Sequence, residues 1–93
     1  MINKMNIKEK NMLKFAKAYA KIAGFKLNEN KEELMMTIKG LVHNKEKHGF
    51  QYCPCRIVTG NKEKDKAKIC PCIWHKDEIK KWGHCLCRLF WKK

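Results

Sequence analysis

Cys53-Pro54-Cys55, Cys70-Pro71-Cys72 and Cys85-Leu86-Cys87 contain all six cysteines of this 93-residue chain. The sequence before Tyr52 contains none. An apolar core in so small a domain contributes little net stability, so a bound metal, a cluster or a crosslink is expected to support the fold. One four-cysteine metal site would use four of the six thiols and leave two for another role. We therefore expect the cysteines to be both structural and chemically active.

Two amphipathic helices precede the cysteines. The first runs from Asn6 to Gly24, with apolar residues spaced by three and four positions and lysines on the opposite side. The second begins after Asn30, which forms a capping-box-like pattern with Glu33, and it frays near His48-Gly49. The positions assigned to the core are Met12, Phe15, Ala16, Tyr19, Ile22 and Ala23 in the first helix and Leu34, Met35, Ile38, Leu41 and Val42 in the second.

Beyond Tyr52 the sequence breaks into short elements. Residues 62–68 are highly charged, which predicts a solvated loop or a short helix, and residues 73–82 have room for about two helical turns that stop at Gly83. The tail is apolar enough to pack back on the domain through Leu86, Leu89, Phe90 and Trp91. Strand signals are weak. We predict a mainly α fold, one domain over residues 1–93, with short helices and loops around the cysteines.

The prolines of the first two cysteine pairs predict how each pair is built. Proline suits the first position of a helix, so each Cys-Pro-Cys is expected to open a helical turn with Cys53 or Cys70 as its cap. Helix amino termini favour negative charge, so the thiolates of Cys55 and Cys72 should be stabilised there. Residues two apart on a helix point to nearly opposite sides, so no disulfide is expected within a pair.

Two kinds of metal centre use four cysteine thiolates. Iron–sulfur clusters do so, and close spacings within a small fold are typical of their sites. Structural zinc sites usually have cysteine pairs with about two to four residues between them, and the one-residue gap found here fits them less well. The spacing therefore favours a cluster over zinc, while the choice of four ligands among the six cysteines stays open.

The net charge and the lack of long apolar runs limit which partners and which cellular compartment are expected. Lysine and arginine number 22 against nine acidic residues, and the formal net charge of +13 would attract an acidic protein, nucleic acid or an anionic membrane. No dense basic block or aromatic-studded motif indicates nucleic acid, and no apolar run indicates a signal peptide or a membrane span. Dense cysteines without an export signal favour metal or redox chemistry, so we expect a cytoplasmic protein without a membrane partner.

Motifs spread over residues 12–90 follow a known pattern. They are Phe15-x-x-x-Tyr19-Ala20, Gly40-Leu41, His48-Gly49, Tyr52-Cys53-Pro54-Cys55-Arg56, Cys70-Pro71-Cys72 and Cys85-x-Cys87-x-Leu89-Phe90. In these motifs the chain resembles the catalytic subunit of ferredoxin:thioredoxin reductase, especially its single-subunit archaeal and bacterial relatives. Three cysteine motifs in this order are a highly specific signal, whereas the helical residues alone are not.

The resemblance implies a cofactor, a redox pair and two protein partners. The cofactor is a [4Fe–4S] cluster, with its ligands at Cys53, Cys70, Cys72 and Cys85. The redox pair is a disulfide between Cys55 and Cys87, in which Cys55 attacks the protein substrate and Cys87 is the cluster-side thiol. A ferredoxin-like protein supplies single electrons, and a thioredoxin- or glutaredoxin-like protein is reduced.

The sequence departs from the plant-type pattern between the last two cysteines. That pattern has a histidine there, whereas this chain has Leu86, with His84 just before Cys85. We take His84 as the candidate proton donor and His75 as an alternative, because imidazole titrates near neutral pH. The segment from Ile73 to His84 is also longer than in the plant enzyme, and no accessory subunit is evident from this chain.

Two functions of other classes stay open on the sequence alone. A zinc-binding interaction module, with nucleic acid as the partner of the positive charge, would contain zinc and no acid-labile sulfide. A pure electron-transfer protein would bind the cluster, but its Cys55 and Cys87 would never pair.

Overall fold

The computed structural model describes residues 6–93 and is mainly helical, as predicted. Its elements are α1 (Ile7–Ala23), β1 (Phe25–Leu27), α2 (Lys31–His48), α3 (Lys62–Asp65), a 3₁₀ turn (Lys66–Lys68), α4 (His75–Trp82) and β2 (Phe90–Lys92). In this part of the chain, no helix combines the length and the apolar character needed to cross a membrane.

The two long helices are capped by asparagines at their amino termini. Asn6 accepts a hydrogen bond from the Glu9 N–H at 2.8 Å, and the Glu9 carboxylate accepts from the Asn6 N–H at 3.3 Å, which completes a capping box. Asn30 likewise accepts from the Glu33 N–H at 3.1 Å. The Glu33 carboxylate instead accepts from the Asn28 side chain, so the capping box predicted for α2 is only half formed.

The carboxyl ends of three helices fall where the sequence predicts them. Gly24, Gly49 and Gly83 follow α1, α2 and α4, and each has a positive φ between 83° and 88°. Glycine adopts this left-handed conformation without a steric penalty, so it ends a helix readily.

The core lies between the helices and the cysteine segment. Its most buried apolar side chains are Ala16, Ile38, Leu41, Leu89 and Phe90, and they contact the buried Cys53, Cys70, Cys85 and Cys87. The core prediction was wrong for Ile22, which is 85 % exposed. Ile22 falls beside the buried stripe of α1, where Ala20 takes the inner position.

A short antiparallel sheet, which the sequence did not predict, joins distant parts of the chain. Phe25 pairs with Lys92 and Leu27 pairs with Phe90. Three-residue strands are too short to show a recognisable alternation of apolar and polar residues. The pairing anchors the segment after the third cysteine pair to the connection between α1 and α2.

The charged residues 62–68 form helical turns around one buried acid. The carboxylate of Asp65 is 1 % exposed and accepts hydrogen bonds from the N–H groups of Thr59 and Gly60 at 3.0 and 2.9 Å. It also pairs with Lys68 at 2.9 Å. The stretch is therefore not simply solvated, because Asp65 organises the loop that precedes it.

Candidate functional site

Five of the six cysteines line one small cavity. Its lining consists of Cys53, Cys70, Cys72, Cys85 and Cys87 together with Pro71, His75, Leu86 and Phe90. These five cysteines are all buried, at 8 % exposure or less. Cys55 is exposed and lies outside the lining. The four predicted ligands thus share a cavity with the predicted inner thiol, while the predicted attacking thiol is open to solvent.

Helix α2 holds two of the cysteine pairs through one stripe of residues. The hydroxyl of Thr37 donates to the Cys87 carbonyl at 3.1 Å. The side-chain amide of Asn44 donates to the carbonyl of Tyr52 at 2.8 Å, directly before the first pair. Positions 37, 40 and 44 recur at intervals of three and four residues, so they lie on one face of the helix.

Gly40, between those two positions, marks the closest approach of α2 to the first cysteine pair. A Cβ atom built on Gly40 would lie 2.7 Å from Cγ of Pro54. Carbon atoms do not approach so closely without moving, so only glycine fits this position against an undisplaced Pro54. Gly40 therefore sets how close the Cys53-Pro54-Cys55 turn lies to the helix.

The first and second cysteine pairs are joined through their backbones. The Cys53 N–H donates to the Lys68 carbonyl at 2.8 Å, and the Cys70 N–H donates to the Gln51 carbonyl at 2.9 Å. The helical turns predicted at these two pairs were wrong. The first pair forms an isolated turn, closed by the Arg56 N–H on the Cys53 carbonyl at 3.0 Å, and the second pair precedes α4, which begins only at His75.

The third cysteine pair, which has no proline, forms a tight turn. The sulfurs of Cys85 and Cys87 lie 3.7 Å apart. The turn over residues 85–88 is closed by the Arg88 N–H, which donates to the Cys85 carbonyl at 2.9 Å. All six cysteines are free thiols in the structure, so the Cys55–Cys87 disulfide stays a prediction.

Neighbouring sulfurs and burial set the pKa values of the thiols. Hydrogen bonding from Cys87 lowers the pKa of Cys53 and lowers the pKa of Cys85 to about 6, while the pKa of Cys87 itself is raised. Partial desolvation of the Cys55 sulfur and the nearby charges of Cys53 and Cys85 raise the pKa of Cys55, and burial raises the pKa of Cys72. The predicted stabilisation of these last two thiolates by a helix amino terminus was wrong, because neither residue lies in the first turn of a helix.

A partly buried ion pair links the three cysteine segments. Arg56, the residue after Cys55, pairs with Glu78 of α4, and the two side chains are only 19 % and 11 % exposed. Arg56 also donates to the sulfur of Cys72 at 3.8 Å. The second carboxylate oxygen of Glu78 accepts from the Leu86 N–H at 3.0 Å. One carboxylate therefore contacts residues adjacent to both thiols of the predicted redox pair.

The sequence analysis did not single out Glu78. Arg56 belongs to the first cysteine motif and follows Cys55 directly, which is a usable signal. Glu78 lies in the charged residues 75–81, where nothing in the sequence distinguishes it from Asp77. Only the fold separates the two, since Asp77 is exposed and Glu78 is not.

The two histidines considered as proton donors have different surroundings. The Nδ1 of His84 donates to the Cys85 carbonyl at 2.7 Å, and His84 does not line the cavity. His75 does line it, donating from Nδ1 to the Cys72 carbonyl and accepting at Nε2 from the Tyr19 hydroxyl. A carbonyl oxygen only accepts, so each Nδ1 carries a proton. The structure does not test the catalytic role predicted for His84.

A comparison with protein families accounts for this arrangement of thiols. The family model described as the ferredoxin thioredoxin reductase catalytic beta chain matches residues 3–93. The chain belongs to this family. Its name describes an oxidoreductase, and the family is known for an iron–sulfur cluster. The resemblance seen in the sequence is thereby confirmed, while no individual curated protein sequence matches the chain significantly.

The lining of the cavity has the donor chemistry that the family's cluster requires. It contains five thiols and no carboxylate, and both ring nitrogens of its imidazole are already hydrogen-bonded. In residues 6–93, no three Cys, His, Asp or Glu side chains lie close enough to bind a single metal ion. A four-iron cluster takes one cysteine on each iron, so its ligand sulfurs stand further apart than those around one ion. The five thiols of the lining are the ligand type that such a cluster takes, and four of them would hold it.

Proposed function

We propose that this chain, as one domain over residues 1–93, is a cytoplasmic iron–sulfur disulfide reductase. It accepts single electrons from a ferredoxin-like donor and reduces a disulfide in a thioredoxin- or glutaredoxin-like protein. The observation that carries the proposal is the division of the thiols into five that line one buried cavity and one that is exposed. Membership of the family supports the same conclusion.

Four of the buried thiols are the proposed ligands of a [4Fe–4S] cluster, namely Cys53, Cys70, Cys72 and Cys85. When bound, the cluster supplies the one-electron chemistry that connects a ferredoxin-like donor to two-electron disulfide reduction. The fifth buried thiol, Cys87, has its sulfur 3.7 Å from that of Cys85. This position suits a thiol that must receive electrons from the metal centre.

Cys55 is the proposed attacking thiol, because it is the one cysteine that an incoming protein disulfide can reach. Its thiolate forms a bond to one sulfur of the substrate disulfide, and the other substrate sulfur leaves as a thiolate. Cys87, as its thiolate, then attacks the sulfur of Cys55, which breaks the mixed disulfide, forms the Cys55–Cys87 disulfide and releases the second substrate sulfur as a thiolate. The substrate gains two electrons, which two successive deliveries from the donor restore.

The two released thiolates also need protons, and His84 is the proposed donor. Its Nδ1 proton is engaged with the Cys85 carbonyl, so protonated His84 would donate from Nε2. His75 is less suited, because its Nε2 already accepts from the Tyr19 hydroxyl.

Exposed apolar side chains offer the protein substrate a surface near Cys55. Ile57 and Ile73 are 82 % and 68 % exposed, and they follow the first and second cysteine pairs. Leu86, inside the third pair, is partly exposed as well. Apolar side chains of this kind form the buried centre of many protein interfaces. The formal net charge of +13 suits an acidic electron donor, whose association should weaken as salt is added.

The experiment that tests the proposal combines metal analysis with an electron-transfer assay. Anaerobically purified protein should be coloured and should contain iron and acid-labile sulfide in equal amounts. With chemically reduced ferredoxin, it should reduce the disulfide of a thioredoxin-like protein, measured by thiol alkylation and mass spectrometry. A colourless product that binds zinc after attempted cluster reconstitution would contradict the proposal. A loaded cluster without any change in the thiol count would indicate a pure electron carrier.

A further inference from the structure

The carboxylate of Glu78 bridges the two segments that carry the proposed redox pair. One oxygen pairs with Arg56, which follows Cys55, and the other accepts from the N–H of Leu86, which precedes Cys87. Glu78 is 11 % exposed, so neither contact is open to free exchange with solvent. A single side chain of α4 thus contacts the side chain of the residue after Cys55 and the backbone of the residue before Cys87.

Arg56 depends on this contact. Its guanidinium lies over the ring of Trp74 at 4.6 Å and donates to the Cys72 sulfur at 3.8 Å. An aromatic ring and a sulfur are both weaker hydrogen-bond acceptors than the Glu78 carboxylate. Its Nε is the buried side-chain polar atom that lacks a hydrogen-bond partner among residues 6–93. Loss of one partner from a buried ion pair leaves an uncompensated charge, so Arg56 should move when Glu78 is removed.

The Cys87 segment has a second support, whereas the Glu78 bridge joins the two segments to each other. Thr37 of α2 holds the Cys87 carbonyl at 3.1 Å. Its single hydroxyl proton is shared with the Glu33 carbonyl of its own helix, also at 3.1 Å. Thr37 therefore positions one segment only, and Glu78 is the side chain that hydrogen-bonds to both.

We propose that Glu78 is a positioning residue that keeps Cys87 within reach of Cys55 whenever no disulfide joins them. The inference rests on the proposed function, in which these two thiols form the redox pair. Opening the disulfide removes the covalent link between the two segments, and the contacts of Glu78 with Arg56 and Leu86 then preserve their alignment. Two groups held in alignment react at a high effective concentration. Glu78 therefore stabilises the disulfide relative to the two thiols and speeds release of the reduced substrate.

The test is a redox titration of the anaerobically purified, cluster-loaded protein in dithiothreitol buffers. Each dithiothreitol becomes a cyclic disulfide as one Cys55–Cys87 disulfide becomes two thiols, which are counted by alkylation and mass spectrometry. Glu78→Ala should lower the effective concentration about tenfold and make the midpoint potential about 30 mV less negative. Glu78→Gln keeps an acceptor for the Leu86 N–H and should shift the potential by less than Glu78→Ala does.

Asp77→Ala is the matched control. Asp77 is the exposed carboxylate beside Glu78 on α4, so its loss removes the same charge from the same helix but none of the contacts with Arg56 or Leu86. It should leave the potential unchanged. A potential that Glu78→Ala leaves unchanged, or that Asp77→Ala moves equally, would overturn the positioning role. If Glu78→Ala does not fold, the same comparison is made between Glu78→Gln and Asp77→Asn.

The failure of the proposed function is recognised separately. A wild-type protein whose Cys55 and Cys87 never pair in the titration would contradict the redox pair itself, and the role of Glu78 with it. If the wild-type protein forms the Cys55–Cys87 disulfide and the Glu78 variants have the same midpoint potential, only the role of Glu78 is contradicted.

Discussion

The long helices and the cysteine segment are held in place by different kinds of contact. α1 and α2 have local caps, glycine ends and an apolar stripe, all of which follow from residues near one another in sequence. The cysteine segment is held by hydrogen bonds from distant residues, by one buried ion pair and by the packing of Pro54 on Gly40. The comparison teaches that the helices can form from local signals, whereas the cysteine segment needs the rest of the molecule and, as we propose, a bound cluster.

The largest effect should come from removing a proposed cluster ligand. Cys70→Ser should abolish cluster binding and unfold the cysteine segment, because metal-binding free energy is folding free energy in small metal-dependent domains. Cys55→Ser should keep the cluster and lose disulfide reduction. Iron content would report cluster binding, and amide hydrogen exchange would report the stability of the long helices and of the cysteine segment separately. Equal cluster loss in both variants would show that the ligands are wrongly assigned. If Cys70→Ser lowered amide protection equally in the long helices and in the cysteine segment, the helices would not be stable independently of the cysteine segment.

An intermediate effect is expected at the contact between the two regions. Gly40→Ala gains up to about 1 kcal/mol of helix propensity, but the new methyl group would lie 2.7 Å from Pro54. Overpacking of this kind costs about 1–3 kcal/mol, so the variant should be destabilised, and the displaced turn should change the alkylation rate of Cys55.

Thermal unfolding and thiol alkylation measure these two effects of Gly40→Ala, with Lys39→Ala as a control at an exposed position of the same helix. A more stable variant with an unchanged Cys55 rate would show that Pro54 yields without consequence. The first cysteine pair would then not depend on close packing against α2.

The smallest effect is expected from an exposed ion pair between the long helices. Glu46 pairs with Lys8, and both side chains are more than half exposed, at 54 % and 62 %. Glu46→Gln should therefore change the free energy of unfolding by less than about 0.5 kcal/mol. The same substitution at the partly buried Glu78 should cost about 1–3 kcal/mol, since it leaves Arg56 without its charged partner. Denaturant titration of both variants measures the loss in the free energy of unfolding. Similar losses in the two variants would show that the ion pair of the cysteine segment stabilises the fold no more than the exposed pair between the helices does.

The parts of the structure that sequence predicted are those that depend on neighbouring residues. The spacing of apolar residues gave the two long helices, and Gly24, Gly49 and Gly83 gave three helix ends. The family resemblance, and not the cysteine spacing, singled out the five thiols that the fold gathers around one cavity, and their roles as ligands and redox pair stay predictions.

The parts that sequence missed depend on residues far apart in the chain. The shape of the first two cysteine pairs follows from hydrogen bonds such as that of the Cys53 N–H to the Lys68 carbonyl. The short sheet pairs Leu27 with Phe90, and Glu78 gains its partners only when α4 lies against the cysteine segment. No local pattern encodes such pairings. The preference of proline for the start of a helix therefore led to a prediction of helical turns, whereas hydrogen bonds to distant loop residues determine the structure there.

The pairing of β1 with β2 also constrains the order in which the molecule can fold. The sheet connects residues 25–27 with residues 90–92, so it has a high contact order and forms only after a long loop has closed. During synthesis, Phe25 and Leu27 leave the ribosome well before Phe90, and they lack their strand partner until it arrives. The helices can therefore assemble early, whereas closure around the third cysteine pair must wait until β2 has been synthesised.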